Sequence, residues 1–370
     1  MRILVVSTPM GPLGSGRGGG VELTAAALTG GLLERGHAVT LLAPAGSVLP
    51  AGCGAARLWC VAGSPPPGAQ HQPRDAPLTM PAHGVLPALW RRALAEQADF
   101  DVLLNLAYDW LPLWLTPHLA TPLAHLVSMG SVSEAIDAVI AEVVRIDGGR
   151  LAGRLAFHTA SQAADFDLPG PPVLVGNGFD LSRYDFQPRP MGLAAVPATG
   201  PLLGWAGRIA PEKGLEDAAA VAAARGWPLA VWGLREDPAY AAWVEASVPA
   251  GTVHWRGFLA TADLQAELGG CSVLLNTPRW NEAYGNVVVE AMACGVPVAA
   301  YARGGPAELV QEGVNGALAP PDDRAGLAAA VDRALAVDRA GCRAWVERHA
   351  SQQAFAARLE AWLAAVVAAA

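Results

Sequence analysis

The chain has 370 residues, 52% of them hydrophobic, and a formal net charge of −8 from 25 basic and 33 acidic side chains. This length predicts two domains with a large core. The acidic balance and the lack of an extended Lys/Arg cluster exclude nucleic acid and anionic membranes as expected partners. No apolar run reaches the roughly 18 to 20 residues of a membrane-spanning helix, so we expect no stable membrane insertion.

Five cysteines are scattered along the chain without a C-x-x-C pair. An odd number without paired spacing predicts neither a disulfide framework nor a zinc site. We therefore expect reduced thiols in a cytoplasmic protein, with no metal site.

The first 42 residues predict a β-loop-α-β unit, which opens nucleotide-binding doubly wound folds. Its two strands and its helix are predicted at residues 3–7, 38–42 and 21–35. The Gly-rich loop contains G-x-G-x-x-G at Gly14, Gly16 and Gly19. An NAD site would also need an acid after the second strand, where this chain has Leu-Ala-Pro-Ala. The loop therefore favours the approach of a phosphate or a sugar, with a flexible loop or an NAD-dependent oxidoreductase as alternatives.

Strands and helices alternate along the rest of the chain, which is typical of parallel sheets with helices on both faces. In the first half, strands are predicted at residues 101–106, 122–127 and from 172, with a strand and then a helix within 155–166. In the second half, strands are predicted at 202–206, 229–232, 253–255, 273–276 and 297–301, and helices at 215–225, 240–246, 263–268, 287–293, 327–335 and 343–367. Two Pro-rich stretches are predicted as a surface excursion at 63–87 and an interdomain linker at 181–200.

Residues 207–214 (GRIAPEKG) follow a predicted strand and open a predicted helix. Arg208 and Lys213 would lie beside free helix N–H groups, an arrangement that suits a diphosphate. Two solvated surface cations are the alternative.

Residues 279–295 (RWNEAYGNVVVEAMACG) place Glu282 and Glu290 eight residues apart. Gly285 permits a tight turn, and Asn286 can cap the helix that follows. Carboxylates accept hydrogen bonds from hydroxyls and helix N-termini attract anions, so this stretch suits a nucleotide sugar. A surface Glu and a helix-face Glu at chance spacing are the alternative.

These two segments, with Gly304-Gly305 downstream and Gly19-Gly20-Val21-Glu22 upstream, resemble in their order the family 4 retaining glycosyltransferases. The resemblance extends to EAMACGVPVAA and EGVNGALAPPDD, and it is best over residues 201–321. It implies the GT-B architecture, an α/β fold of two doubly wound Rossmann-like domains that face each other across a cleft. It also implies a retained anomeric configuration and a UDP-sugar co-substrate, with UDP-glucose the first choice and no other cofactor.

The resemblance implies where the domains lie. The acceptor-binding domain would span residues 1–185 and be joined by the C-terminal helix at about 350–370. The nucleotide-sugar domain would span residues 200–348.

Roles for individual residues also follow from the resemblance. Arg208 and Lys213 would bind the diphosphate and stabilise the leaving group. Glu290 would bind the ribose hydroxyls, and Glu282 would face the transferred sugar. The further donor-binding residues that it implies are Gly19, Gly20, Arg256, Phe258, Tyr284, Gly285, Asn286 and Val287. Since fixed cations and helix ends would stabilise the developing charge, a divalent metal is not required.

The chain departs from the family after the fourth strand of the N-terminal domain, where many members have a His near the reacting centre. Ser128 occupies the matching position, and His125 lies three residues earlier. The two side chains would face opposite ways on a strand. Both are candidate catalytic residues, with a structural role as the alternative for His125.

The first loop and the segment HLVSMGS resemble those of cyanobacterial UDP-glucose:tetrahydrobiopterin glucosyltransferases, which implies a pterin as a small soluble acceptor. The candidate acceptor-binding residues are Glu22, Tyr108, Asp109 and Trp110. Aromatic rings and a carboxylate suit a flat pterin, although an ordinary amphipathic core helix would have the same pattern. A lipid or sugar acceptor and a non-catalytic protein that binds nucleotide sugars are further alternatives. The sequence does not indicate the oligomeric state.

Overall fold

A computed structural model describes residues 1–15, 19–69, 72–81, 83–197 and 199–370 of the chain. These residues form two compact units, Met1–Phe179 with Gln352–Ala370, and Asp180–Ser351. Each unit contains a parallel β-sheet connected through helices, so the predicted pair of doubly wound α/β domains is confirmed. Gly16, the central glycine of the predicted fingerprint, lies outside the described residues.

The first unit is built on seven parallel strands. These are β1 (Arg2–Val6), β2 (Ala38–Pro44), β3 (Arg57–Val61), β4 (Val102–Asn105), β5 (Leu123–Val127), β6 (Leu155–Phe157) and β7 (Val173–Leu174), in the sheet order β3-β2-β1-β4-β5-β6-β7. Its helices are α1 (Gly20–Glu34), α2 (Val85–Glu96), α3 (Trp110–Leu115), α4 (Glu134–Val143), α5 (Ala160–Ala163) and, at the end of the chain, α13 (Gln352–Ala368).

The continuous apolar run of β1 is explained by helices on both sides of the sheet. Successive side chains of a strand point to opposite faces, so a strand that is buried on both faces is apolar throughout. Ile3 belongs to a core with Leu28 of α1 and Leu359 of α13. Leu4 belongs to a second core with Leu89 of α2.

The second unit is built on six parallel strands. These are β8 (Leu203–Ala206), β9 (Leu229–Trp232), β10 (Val253–Gly257), β11 (Val273–Asn276), β12 (Val298–Tyr301) and β13 (Gly316–Ala319), in the order β10-β9-β8-β11-β12-β13. Its helices are α6 (Leu215–Arg225), α7 (Pro238–Ala246), α8 (Thr261–Gly269), α9 (Asn286–Ala293), α10 (Gly305–Leu309), α11 (Arg324–Leu335) and α12 (Arg339–His349). None of the helices within the described ranges combines the length and apolarity needed to cross a membrane.

Several elements were not predicted from the sequence, among them β3, β13 and α4, whereas α3 is the core helix that was the alternative for residues 108–110. The stretch 63–87 was predicted to be irregular, but its last residues begin α2 because Val85 and Leu86 are buried in the core beside the sheet. The helix predicted at 343–367 is two helices, α12 and α13, since the chain leaves the helical conformation between them.

Residues 181–200 were predicted as an interdomain linker, but the second unit already begins at Asp180. The amide of Gln187 donates to the carbonyl oxygen of Cys294 at 3.0 Å. The guanidinium of Arg343 in α12 donates to the carbonyl oxygen of Tyr184 at 2.7 Å. Hydrogen bonds to backbone groups thus build the start of this Pro-rich segment into the second unit.

Candidate active site

Two loops of the second unit lie side by side, because β8 and β11 are neighbouring parallel strands and the carboxyl ends of such strands lie at the same edge of the sheet. The first loop follows β8 and leads through the short 3₁₀ helix Pro211–Lys213 into α6. The second loop follows β11 and leads into α9. Thr277 Oγ1 donates to the carbonyl oxygen of Gly214 at 2.8 Å, and the amide of Arg279 donates to that of Glu212 at 2.8 Å. These bonds fix one loop against the other.

Lys213 of the first loop forms an ion pair with Glu282 of the second. The two side chains are only 17% and 19% exposed, so water screens the pair incompletely. Burial raises the pKa of the Glu282 carboxyl, but the charge and hydrogen bond of Lys213, with smaller contributions from Trp280 and Arg208, bring that pKa below its ordinary value. Glu282 is therefore a carboxylate at neutral pH and lies beside the two cations predicted to bind the diphosphate.

Arg208 lies in the same group of charges. Its guanidinium contacts Glu212 at 2.8 Å and Glu236 at 2.6 Å, and its carbon lies 5.9 Å from the ring centroid of Trp280. Arg208, Lys213 and Glu282 thus lie together in the second unit, and their roles toward a diphosphate and a sugar stay predictions.

Glu290 is the fifth residue of α9 and is buried. Its Oε1 accepts a hydrogen bond from the Tyr184 hydroxyl at 3.1 Å. Burial raises the pKa of the Glu290 carboxyl, while this hydrogen bond and the charge of Arg183 oppose the rise. Tyr184 had not been singled out from the sequence, since it lies in the segment predicted as a linker.

The turn before α9 brings the other predicted donor residues to the end of that helix. Gly285 is the N-cap with a φ of 97°, so Gly285 rather than Asn286 occupies the capping position. Tyr284 is buried, whereas Asn286 and Val287 in the first helical turn are partly exposed. The start of α9 can therefore present backbone N–H groups to an anion.

Arg279 is a further residue of the site that was not predicted from the sequence. Its guanidinium binds Glu216 and Asp217 at the start of α6 and also Asp322 at 3.1 Å. Asp217 is buried and accepts a hydrogen bond from Tyr301 at 2.9 Å. Arg279 precedes Trp280 and Glu282 in the second loop, so this network holds the loop against α6.

Arg256 and Phe258, predicted near the base, lie at the end of β10 and just beyond it. The Arg256 guanidinium forms two hydrogen bonds with Glu267, at 2.6 and 3.0 Å. The Phe258 side chain is 58% exposed. Phe258 thus presents an accessible aromatic face, while Arg256 is paired within the unit.

In the first unit, Gly19 is the N-cap of α1, with a φ of 57°, and Gly20 is the first residue of that helix. Glu22 folds back on the loop before them: its carboxylate accepts hydrogen bonds from the Gly14 amide at 2.8 Å and the Ser15 hydroxyl at 3.3 Å. Glu22 therefore holds the described part of the Gly-rich loop, and its acceptor contact stays a prediction.

His125 lies inside β5 and is buried. The Asn105 amide lies 3.2 Å from its Nδ1, and the Thr116 hydroxyl lies 2.8 Å from its Nε2. Burial lowers the pKa of His125 to about 3, so the ring is neutral. This geometry favours the structural alternative for His125. Ser128 lies just past the end of β5 and is partly exposed, and its catalytic role stays a prediction.

The three candidate acceptor residues 108–110 lie in different environments. The Tyr108 hydroxyl donates to Asp137 at 3.1 Å. Asp109 caps α3 by accepting from the Leu111 amide, and burial raises its pKa to about 6. Asp109 and Trp110 line a shallow pocket with apolar walls that include Met80. Two of the three predicted residues therefore share one surface, which Tyr108 does not line.

Within the described ranges, no group of three or more His, Cys, Asp or Glu side chains is arranged to hold a metal ion.

Residues 200–337 match the family model for glycosyl transferases group 1. The matched residues include Arg208, Lys213, Glu282 and Glu290.

Two curated relatives are similar to this chain. The 2-deoxystreptamine N-acetyl-D-glucosaminyltransferase of Streptomyces fradiae is 36% identical over 148 residues, which span 38% of this chain and 35% of that relative. The match thus covers about a third of that relative. The phosphatidyl-myo-inositol mannosyltransferase of Propionibacterium freudenreichii is 29% identical over 314 residues, 78% of this chain and 75% of that relative.

Among solved structures, Anabaena HepE in complex with UDP superposes with a TM-score of 0.73 at 20% identity, over 99% of this chain and 100% of that chain. This likeness covers both parallel-sheet domains and shows the GT-B fold, as predicted from the sequence.

Proposed function

We propose that this protein is a retaining glycosyltransferase that transfers a glucosyl group from UDP-glucose to a small soluble acceptor. The observation that carries the proposal is the ion pair between Lys213 and Glu282, with Arg208 beside it, inside the segment that matches the group 1 family model. The pair joins a cationic loop that suits a diphosphate to an acid that suits sugar hydroxyls.

The chemistry follows from where charge develops. As the bond from the anomeric carbon to the diphosphate oxygen breaks, the sugar gains positive charge and the diphosphate gains negative charge. Arg208, Lys213 and the N–H groups at the start of α9 are fixed donors that would stabilise the leaving diphosphate. The acceptor oxygen forms its bond to the same face of the sugar, and its proton goes to the departing phosphate. With these cations in place, transfer would proceed without a divalent metal.

The choice of UDP is supported by the HepE likeness, since HepE has been solved with UDP and with UDP-glucose. Within this chain, the exposed ring of Phe258 offers a stacking surface for a base. Glu290, which here accepts from the Tyr184 hydroxyl, would accept from the ribose hydroxyls.

The acceptor that we propose is a reduced pterin. A planar ring with N–H groups would stack on Trp110 and donate to Asp109, which share a pocket with apolar walls. The names of the two relatives specify 2-deoxystreptamine and phosphatidyl-myo-inositol instead. A sugar-like or lipid acceptor is therefore the competing outcome of the test.

Isothermal titration calorimetry with UDP, GDP and NAD tests the donor. We expect UDP to bind more tightly than GDP, and NAD not to bind. Tight NAD binding without UDP binding would reject the proposal.

Mass spectrometry of reactions that combine UDP-sugars with pterins, aminocyclitols, sugars and lipids tests transfer and the acceptor. Proton NMR of the product gives the anomeric configuration, and a parallel reaction with EDTA tests the metal independence. UDP binding without hydrolysis or transfer from any UDP-sugar would indicate a non-catalytic binding protein.

A further inference from the structure

Trp280 contacts three charged side chains of the two loops, Arg208, Lys213 and Glu282. Its ring centroid lies 4.7 Å from Lys213 Nζ and 5.9 Å from the guanidinium carbon of Arg208. Its indole N–H donates to Glu282 Oε2 at 3.0 Å. Both cations thus lie within the range of cation–π attraction to one ring, and the same residue holds the acid that pairs with Lys213.

We infer that Trp280 is a positioning residue of the proposed transferase, which presents Arg208 and Lys213 to the diphosphate and orients Glu282 toward the transferred sugar. The inference rests on the proposed function of this site. Long cationic side chains lose rotamer freedom when they bind an anion, and a ring that already restrains them reduces that loss. The indole N–H acts on a different group, because a hydrogen bond to a carboxylate fixes its orientation.

The chain composition makes this arrangement unusually accessible to experiment. Its 25 basic residues include a single lysine, Lys213, and the other 24 are arginines. Reductive methylation with ¹³C-formaldehyde keeps the positive charge and labels only Lys213 and the terminal amine. A methyl group above an aromatic ring has an upfield-shifted resonance, so the label reports the contact between Lys213 and Trp280 directly.

Two substitutions separate the two parts of the role. Trp280→Phe keeps an aromatic face and removes the N–H, so we expect UDP affinity within about threefold of wild type and a turnover of UDP-glucose about tenfold lower. Trp280→Leu removes both, so we expect UDP affinity to fall about tenfold as well. Trp243, which lies in α7 and is exposed, supplies the matched control as Trp243→Phe and Trp243→Leu, with no change in either quantity.

Two further measurements distinguish positioning from a general loss of structure. The upfield shift of the Lys213 methyl resonance should persist in Trp280→Phe and disappear in Trp280→Leu, while circular dichroism and the melting temperature show that both variants fold. The indole hydrogen bond lowers the pKa of Glu282, so its loss in Trp280→Phe should raise that pKa. The acid limb of the kcat/KM profile should therefore begin at higher pH in this variant.

The outcomes are distinguishable. If wild-type protein does not bind UDP, the proposed function fails. If wild-type protein binds UDP and turns over UDP-glucose, but Trp280→Leu retains wild-type affinity and rate, the role of Trp280 is rejected and the proposed function stands. An upfield methyl resonance that survives in folded Trp280→Leu would likewise overturn the contact.

Discussion

The amide of Gly305 donates a hydrogen bond to the carbonyl oxygen of Glu282 at 2.7 Å. Gly304 beside it has a φ of 65°, and a Cβ atom at Gly304 would lie 2.5 Å from both the amide nitrogen and the carbonyl oxygen of Glu282. The loop that leads from β12 into α10 therefore packs directly on the backbone of the acid in the second loop. Any side chain at Gly304 must therefore displace the backbone of Glu282 or that of the loop that carries Gly304.

We predict that Gly304→Ala lowers the turnover of the donor at least about tenfold, because it displaces Glu282. Gly313→Ala is the matched control, since Gly313 also has a positive φ, of 72°, but a Cβ there meets no atom within 4 Å. Both positions have a positive φ, which disfavours alanine, and Gly304, with a ψ of −153°, lies in a backbone region that is essentially confined to glycine. Chemical denaturation and donor hydrolysis measure the two effects. Equal losses of activity in both variants would contradict the packing argument.

Lys213 gives a second prediction, because it is expected to stabilise the leaving diphosphate. Removing one preorganised charge or donor of this kind typically costs about 100-fold or more in rate. We expect Lys213→Met to lose at least this factor in transfer, and Lys213→Arg to recover only part, since a planar guanidinium does not replace a compact ammonium. Steady-state kinetics of UDP-glucose hydrolysis measure both.

The control for Lys213 is Arg333→Met. Arg333 forms an ion pair with Glu312 in which both side chains are about half exposed, and such pairs contribute about 0–1 kcal/mol. We expect this variant to keep the wild-type rate. A Lys213→Met enzyme with a rate similar to that of Arg333→Met would remove Lys213 from the reaction.

The sequence was most informative where local chemistry determines structure. The apolar runs of β8, β9, β11 and β12 predicted the central strands of the second unit, because strands buried on both faces are apolar throughout. β3 was missed, since its side chains are only partly buried and the pattern is mixed.

Partners that are distant in the chain could not be predicted. Tyr184 reaches Glu290 across 106 residues, and Arg279 reaches Asp217 across 62. No periodicity encodes either contact. The single aromatic residue of RWNE, Trp280, is visible in the sequence, but only the structure shows that it contacts two cations from the neighbouring loop.

His125 and Ser128 are distinguished by a third prediction. His125→Leu removes one hydrogen-bond partner from each of the buried Asn105 and Thr116 side chains, which keep bonds to backbone groups, so we expect a loss of about 1–3 kcal/mol in the free energy of unfolding. Ser128→Ala should change stability by less than about 0.5 kcal/mol and lower transfer at least about tenfold. If Ser128→Ala transfers at the wild-type rate, Ser128 does not act in the reaction.

His125 also affects stability as a function of pH. Its pKa of about 3 in the folded protein lies below the ordinary value of 6.5, so the unfolded chain binds a proton more readily. The free energy of unfolding therefore has its full value, as far as His125 is concerned, above pH 6.5, and it decreases as the pH falls from 6.5 toward 3. Thermal unfolding between pH 4 and pH 8 should therefore depend less on pH in His125→Gln than in wild type.

Glu290 gives the fourth prediction. A buried carboxylate at the predicted ribose site lowers the stability of the folded protein at higher pH but strengthens the binding of UDP. Its folded pKa is raised by burial, so the unfolded chain loses the proton first as the pH rises. The wild-type protein is then destabilised by Glu290 as the pH rises from about 4.5 through the raised pKa. We expect Glu290→Gln to be more stable than wild type above this range, and to bind UDP at least about tenfold more weakly, since an amide is a poorer acceptor for ribose hydroxyls.

Melting temperatures from pH 4 to pH 8 and calorimetry with UDP measure the two effects of Glu290→Gln. Tyr184→Phe is the matched variant, because it removes the hydroxyl that donates to Glu290 and leaves the carboxylate in place. Losing that donor should raise the pKa of Glu290 further. The loss of stability with rising pH should then extend to higher pH than in wild type, while the contact with the ribose is retained. A Glu290→Gln protein that binds UDP as tightly as wild type would assign Glu290 to the core of the second unit and not to the donor.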